Sequence, residues 1–191
     1  MKKRIGVLLS GCGVYDGSEI HEATLAMFYI DKCGAEYKCL SLDSEQMHVV
    51  NHKSGDVTGE KRNMLCESAR IARGKIECIR TVDFNSLDAL ILPGGFGIVK
   101  NLCNFAVKGT DCVVNSDVKK LLIKMNEAKK PIGAICIAPV VLAKTFEGIK
   151  KLILTIVENK ETADKISVMG HIHVNHSVSE IEVDKDNKIV T

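Results

Sequence analysis

Of the eight cysteines in this 191-residue chain, one stands where it could act as a nucleophile. In Gly133-Ala134-Ile135-Cys136-Ile137-Ala138-Pro139 an apolar strand-like run ends, a cysteine follows, and a helix begins at once. Ala134 and Ala138, two places either side of Cys136, are small, as a tight strand-to-helix elbow requires. Pro139 suits the first helical turn, where its missing N–H is not needed. The elbow lifts the Cys136 sulfur to a helix N-terminus. Unpaired N–H groups and the helix dipole favour a thiolate there, so this thiol is expected to be more acidic than a free one. A buried structural cysteine at a strand end is the bland alternative. The agreement of strand, small residues and helix start favours the nucleophile.

Two further features could serve such a nucleophile. Pro93-Gly94-Gly95 follows a short apolar run, and glycines just past a strand let backbone N–H groups come close to a reacting atom. One of them, assigned to Gly95, would pair with the N–H of Ile137 to make an oxyanion hole. The plain alternative is a simple turn. Glu22 lies about one turn into the first helical segment, in line with Leu25, Ala26 and Tyr29, a line expected to face the sheet. A buried carboxyl is costly to ionise, so its pKa is expected to be raised. Beside Cys136 the two groups would share one proton, with the thiolate favoured and the carboxyl kept neutral as a donor. A partly solvated glutamate is the competing reading.

Other motifs lead elsewhere and fall short. Gly11-Cys12-Gly13 tempts towards a dinucleotide fingerprint, but position 16 is Asp16 and Gly17 comes one place late. His171, His173 and His176 could share a metal. No Cys, Asp or Glu stands beside them at ligand spacing, and a polar strand face explains them as well. Neither a metal nor a cofactor is expected.

The elements that must position these residues alternate. Strands are expected at Arg4–Ser10, Glu36–Leu42, Lys75–Ile79, Ala89–Leu92, Pro131–Ile135 and Leu152–Val157. Helices are expected at Ser18–Cys33, Asn63–Arg73, Asp117–Ala128 capped by Ser116, Pro139–Phe146 and Glu161–Met169. Residues 43–62 are polar, with a small hairpin around Met47–Asn51. Residues 96–115 read as a long irregular loop, a kind more often functional than idle. His171–Thr191 reads as strands with a turn at Asp186-Asn187. Alternation of near-continuous apolar strands with helices implies an α/β sheet, mostly parallel and covered on both faces. One domain, 1–191, accounts for the whole length.

Composition limits the partners. Hydrophobic residues make up 46% and charged residues 26%, which is globular and not disordered. Lys and Arg number 26 against 24 Asp and Glu, a net charge of +2, so neither nucleic acid nor an anionic membrane is indicated. No apolar stretch approaches the roughly 20 residues a bilayer needs. The apolar run after Met1-Lys2-Lys3-Arg4 is too short for a targeting signal. Eight cysteines without a C-x-x-C pair or a secretory signal imply reduced thiols and a cytoplasmic setting.

Taken together, Ser10-Gly11-Cys12-Gly13-Val14-Tyr15-Asp16-Gly17-Ser18-Glu19-Ile20-His21-Glu22, Pro93-Gly94-Gly95-Phe96-Gly97 with Lys100-Asn101-Leu102 and Asn104-Phe105-Ala106, Cys136-Ile137-Ala138-Pro139, and Asp184–Thr191 resemble the ElbB family. Those proteins are also called enhancing-lycopene-biosynthesis or sigma cross-reacting proteins. They belong to the class I glutamine amidotransferase-like, PfpI-type superfamily. The resemblance spans the whole chain. It implies a flavodoxin-like three-layer sandwich, Cys136 as elbow nucleophile, Glu22 as the carboxyl beside it, and His173 as a third partner. It further implies Gly94, Asn101 and Asn104 at the substrate, a homodimer, and a C-terminal helix that this chain lacks. The activity implied is glutathione-independent glyoxalase chemistry on a small 2-oxoaldehyde, glyoxal or methylglyoxal, giving the 2-hydroxy acid. Amidotransferases carry a late H-x-E motif. Here the segment is His173-Val174-Asn175-His176-Ser177, which argues against glutamine hydrolysis.

Overall fold

A computed structural model of the chain describes residues 2–156 and 160–191. The apolar runs form β1 (Arg4–Leu8), β2 (Glu36–Ser41), β3 (Ile76–Cys78), β4 (Ala89–Leu92) and β5 (Ile132–Ala134). Near the C-terminus lie β6 (Ile153–Leu154), β7 (Ile172–His173), β8 (Val183–Asp184) and β9 (Ile189–Val190). The helices are α1 (Ile20–Lys32), α2 (Met64–Ile71), α3 (Phe105–Lys108), α4 (Ser116–Glu127), α5 (Pro139–Phe146) and α6 (Lys160–Val168). Seven strands make one sheet in the order β3-β2-β1-β4-β5-β9-β8, and β6 pairs with β7 apart from it. Every pairing in the large sheet is parallel except β8 with β9. The expected α/β architecture is therefore present.

Strand alternation sorts the core into two layers. Leu8, Leu40, Leu90, Leu92 and Ile132 face one way, against Val118, Leu122 and Met125 of α4 and the mostly buried α5. Val7, Leu9 and Cys39 face the other way, against Ala23, Met27 and Ile30 of α1 and Ala72 after α2. Among the described residues α1 and the end of α2 cover this second face mainly over β1, β2 and β3. Ile5 of β1 and Ile91 of β4 lie at the margin of that cluster, and with Ala89, Gly133 and Val190 they carry the face across β4, β5 and β9 as part of the lining of an open cavity.

Several elements depart from the sequence expectation. Asn115 caps α4 in place of Ser116, its Oδ1 accepting from Asp117 N at 2.9 Å. Glu19 caps α1, and Ser18 instead spends its hydroxyl on Ser10 N at 2.8 Å. The polar stretch 45–63 doubles back through single bridges, Val50 to Val57 and Glu45 to Asn63. The stretch 96–115 is not irregular. It holds a π-helical turn at Ile98–Leu102, α3, a 3-10 turn at Gly109–Asp111 and a bridge from Cys103 to Val114. Of the expected strand Leu152–Val157 only Ile153–Leu154 forms, and Val157 lies outside the described residues.

Candidate active site

The parallel order brings the C-terminal ends of β1, β4 and β5 side by side, which is where open α/β sheets place their sites. After β5 the chain turns sharply at Cys136, whose φ is +61°. A side chain other than glycine held there marks a strained position over-determined by its surroundings. Ala134 and Ala138 are buried on either side, and Pro139 opens α5, so the elbow forms as its spacing predicts. Backbone N–H groups of Ile137 and Gly95 both donate towards the Cys136 sulfur. Those are the two N–H groups assigned to an oxyanion hole from sequence.

Gly94 locks the end of β4 to α1. Its N–H donates to Glu22 Oε2 at 2.7 Å, and its carbonyl accepts from Glu19 N at 2.9 Å. The Glu19 carboxylate in turn caps α1 by accepting from Glu22 N at 2.7 Å. A Cβ on Gly94 would stand 2.6 Å from Cys136 Cβ and 2.7 Å from Glu22 Oε2, so only glycine fits. Glu22 and Cys136 are hydrogen-bonded to each other in this crowded corner. The sequence carries the signal for Glu19, an acidic residue one turn before Glu22 at the start of the helix.

Glu22 reaches the site by a different route from the one expected. Leu25 and Tyr29 are 53% and 55% exposed, so that line does not face the sheet. The buried stripe is Ala23, Met27 and Ile30. Glu22 sits in the first turn, where α1 starts over the strand ends, and is half-buried there.

Burial raises the Glu22 carboxyl above the usual range, against the hydrogen bonds from Gly94 and Cys136 that pull it down. Cys136 is pushed up to about 11, first by burial, then by the charge of Glu22 and its hydrogen bond. The N–H groups of Ile137 and Gly95 lower it but do not win. The expected acidic thiol is thus corrected. The elbow supplies its donors, and desolvation and the neighbouring carboxylate outweigh them. At neutral pH the pair keeps one proton, on sulfur, with Glu22 ionised as the adjacent base.

The remaining expected site residues divide. Asn101, expected at the substrate, is held as a structural clamp between three backbone groups. Its Nδ2 donates to Ser10 O and Asp16 O, each at 2.8 Å, and its Oδ1 accepts from Met47 N at 2.9 Å. Asn104 likewise holds its own loop, accepting from Val113 N at 2.7 Å. His173 does not line the cavity beside Cys136, and His176 does. His176 Nε2 donates to Glu182 Oε2 at 2.9 Å. His171 is a core residue, donating from Nε2 to Ala143 O at 2.8 Å and accepting at Nδ1 from Leu152 N at 3.1 Å. The three histidines therefore occupy three separate environments. Among the described residues no three side chains of metal-binding type cluster.

The cavity itself has a volume of about 650 Å³. Cys136 and Glu22 stand at its edge. Its walls are mainly apolar, with Ile91, Ile135, Ile156 and Ile181 facing inward and Thr155, His176 and Glu180 among its polar groups.

No family model matches the chain. It is 45% identical to the human "Glutamine amidotransferase-like class 1 domain-containing protein 3, mitochondrial", over 98% of this chain and 73% of that protein. It is 44% identical to the rat "ES1 protein homolog, mitochondrial", over 100% and 74% respectively. Among solved structures it resembles an isoprenoid biosynthesis protein with amidotransferase-like domain from Ehrlichia chaffeensis. That match has a TM-score of 0.91 and 37% identity, covering 98% of this chain and 86% of the other. Among the described residues no helix is long and apolar enough to cross a membrane.

Proposed function

This chain belongs to the family of glutamine amidotransferase-like class 1 domain-containing proteins, the ES1 proteins, and we propose that it is an ElbB-type glyoxalase needing neither glutathione nor a cofactor. The substrate is a small 2-oxoaldehyde, glyoxal first and methylglyoxal second. The observation that carries the reading is the convergence of Cys136, Glu22 and the N–H groups of Gly95 and Ile137 on one point.

The reaction follows from the proton of the pair. Glu22 takes the proton of Cys136 as sulfur attacks one aldehyde carbon, and a carbon–sulfur bond forms. The carbonyl oxygen becomes an alkoxide facing the N–H groups of Gly95 and Ile137. It recovers the proton from Glu22, giving a neutral hemithioacetal and a free carboxylate. Glu22 then removes the hydrogen on the sulfur-bearing carbon, and an enediol forms. Returning that proton to the neighbouring carbon leaves a thioester of the 2-hydroxy acid. Water cleaves the thioester, releasing glycolate from glyoxal and restoring the thiol. Each intermediate keeps its charge within reach of a donor already in place.

Steady-state turnover of glyoxal by the purified protein tests this. Formation of glycolate is expected, lost in Cys136→Ser. Absence of product from the parent protein would overturn it. The alternative is a redox-sensing or partner-binding protein of isoprenoid metabolism, for which the description of the Ehrlichia protein speaks. It requires the same thiol without turnover, so the same assay separates the two. A cytoplasmic setting belongs to the proposal and is supported by eight unpaired thiols. The mitochondrial descriptions are those of the mammalian relatives.

A further inference from the structure

The cavity beside Cys136 is far larger than a glyoxal molecule. Its volume of about 650 Å³ lies within the range of about 300–1,000 Å³ that holds drug-sized ligands. Cys136 and Glu22 line it, so a molecule bonded to the sulfur has this space as its neighbour. The Gly94 side offers none, since even a Cβ there would stand 2.6 Å from Cys136 Cβ.

Gly133 belongs to the sheet side of that lining. Ile132 and Ala134 on either side are buried in the core, so strand alternation turns position 133 to the cavity. Nothing in the fold requires a glycine there. Its φ is not positive. An added Cβ would meet Ile91 Cγ1 at 3.5 Å, Leu90 O at 3.9 Å and Val190 O at 4.0 Å, all ordinary contacts. Gly6 differs, because a Cβ there would stand 2.8 Å from Leu90 Cδ1. A glycine inside a strand weakens it, and it marks a place where a ligand or another backbone comes close. At Gly133 the missing side chain leaves a notch between Ile91 and Val190, its neighbours across the sheet.

The lining also selects the kind of group. Ile5, Ile91, Ile135, Ile156 and Ile181 supply its apolar surface. Several of its polar groups are already engaged. Thr155 N donates to Thr191 Oγ1 at 2.8 Å, His176 Nε2 is bonded to Glu182 Oε2 at 2.9 Å, and Glu180 Oε2 accepts from Ser177 N at 2.9 Å. Among the described lining residues there is no Lys or Arg, while Glu22 and Glu180 are present. An anionic substituent would lose its hydration here without a cation to meet it. An apolar chain gains by leaving water.

We propose that this cavity is the substituent pocket of the Cys136 site and takes an uncharged, unbranched alkyl chain carried by the electrophile that the sulfur attacks. The proposal rests on the glyoxalase reading for the reaction, and it extends the substrates beyond glyoxal and methylglyoxal to 2-oxoaldehydes with longer chains. Sulfur bonds the aldehyde carbon, so the substituent sits on the adjacent carbon and is free to point away from Glu22 and the N–H groups. Gly133 lies three residues before Cys136, roughly 10 Å along the strand. 2-Oxohexanal, extended from the sulfur, covers about that distance.

The test compares homologues of one reactive group. Steady-state kcat/KM is measured on this chain with methylglyoxal, 2-oxobutanal and 2-oxohexanal. The expected result is a rise of about tenfold or more from the first to the last, since a single methylene in an apolar pocket is worth roughly 10–200-fold. Gly133→Val fills the notch with a residue that strands favour, and the ratio of 2-oxohexanal to methylglyoxal is expected to fall about tenfold. A second measurement needs no turnover. Chloroacetone and chloromethyl butyl ketone differ in chain length alone, and each alkylates Cys136 by displacement of chloride, followed by mass spectrometry of the Cys136 peptide. The butyl reagent is expected to react about tenfold faster. If no oxoaldehyde turns over, the glyoxalase reading falls and the haloketone ratio alone decides the pocket. Equal haloketone rates, or equal constants along the oxoaldehyde series, overturn the proposal and leave the sheet face to a covering polypeptide. So does a ratio that Gly133→Val leaves unchanged.

Discussion

Replacing Glu22 by Gln separates two roles that the carboxylate combines. Burial alone does not set the Cys136 thiol at about 11; the charge of Glu22 and its hydrogen bond are the next two causes. At pH 8 a thiol of that pKa is thiolate to about one part in 10³, and each unit of lowering multiplies that fraction about tenfold. Gln keeps the shape and removes the charge. Its oxygen can still accept from Gly94 N–H, so the turn at Gly94 is preserved. Two of the three influences that raise the sulfur then disappear, and the donors Ile137 and Gly95 remain. Alkylation of Cys136 by iodoacetamide at pH 8 should become about tenfold faster or more. Turnover of glyoxal should fall by roughly 10²–10⁴-fold, the usual worth of a general acid–base group. The opposite signs are the diagnostic, because a merely damaged site would lose both. Mass spectrometry following Cys136 labelling across pH 6–11 supplies the assay. If Glu22→Gln alkylates no faster, or if the parent thiol already titrates below pH 8, the proton rests on Glu22 and the helix N-terminus dominates after all.

Gly94→Ala places a methyl against Cys136 Cβ and Glu22 Oε2. We expect about 1–3 kcal/mol of lost stability by urea unfolding, and a loss of turnover well beyond what the unfolded fraction explains. Asn101→Ala removes three hydrogen bonds to backbone. It should lower stability by about 1–3 kcal/mol while leaving KM for glyoxal unchanged in the folded fraction; a raised KM with full stability would restore Asn101 to the substrate. Burial holds the His171 imidazole below its ordinary value. The unfolded chain therefore takes up this proton first as pH falls below about 6.5. The associated stability is complete above that pH and declines on acidification, so the urea midpoint should fall between pH 7 and pH 5, and less steeply in His171→Gln.

What the sequence made legible was whatever depends on neighbours along the chain. The elbow at Cys136 is a local event: a short strand, two alanines and a proline fix it, and its positive φ follows from the turn. Strand positions were legible because buried parallel strands are apolar throughout. Positions one residue apart were not. Asn115 and Ser116 both suit a helix cap, and only backbone direction selects Asn115. The stretch 96–115 lacked a period because its π-helical turn and short helices are held by distant groups, such as Asn101 bonding to Ser10 and Asp16. Asn101 and Asn104 were placed at the substrate by the family resemblance alone. Only the accounting of their hydrogen bonds shows them fully or partly spent on the backbone.

Glu22 and the acidity of Cys136 teach the same lesson from opposite sides. Glu22 stands beside Cys136 as expected, but not along the line of residues read from sequence, since Leu25 and Tyr29 point to solvent. What brings it to Cys136 is the clamp of Gly94 between α1 and β4, a contact spanning 72 residues. The thiol was judged from the helix it precedes, and those N–H donors do reach the sulfur. A helix end acts over one turn, whereas desolvation and the charge of Glu22 come from how three strands and α1 close around the sulfur. The tertiary contributions are larger here, so the sign reverses. The reversal sets the resting state, a protonated thiol beside an ionised carboxylate, and so the fraction of thiol poised to attack. In the proposed reaction either resting state leads to the same intermediate, because the alkoxide formed on attack takes the shared proton from Glu22 and leaves the carboxylate free to move a proton between carbons.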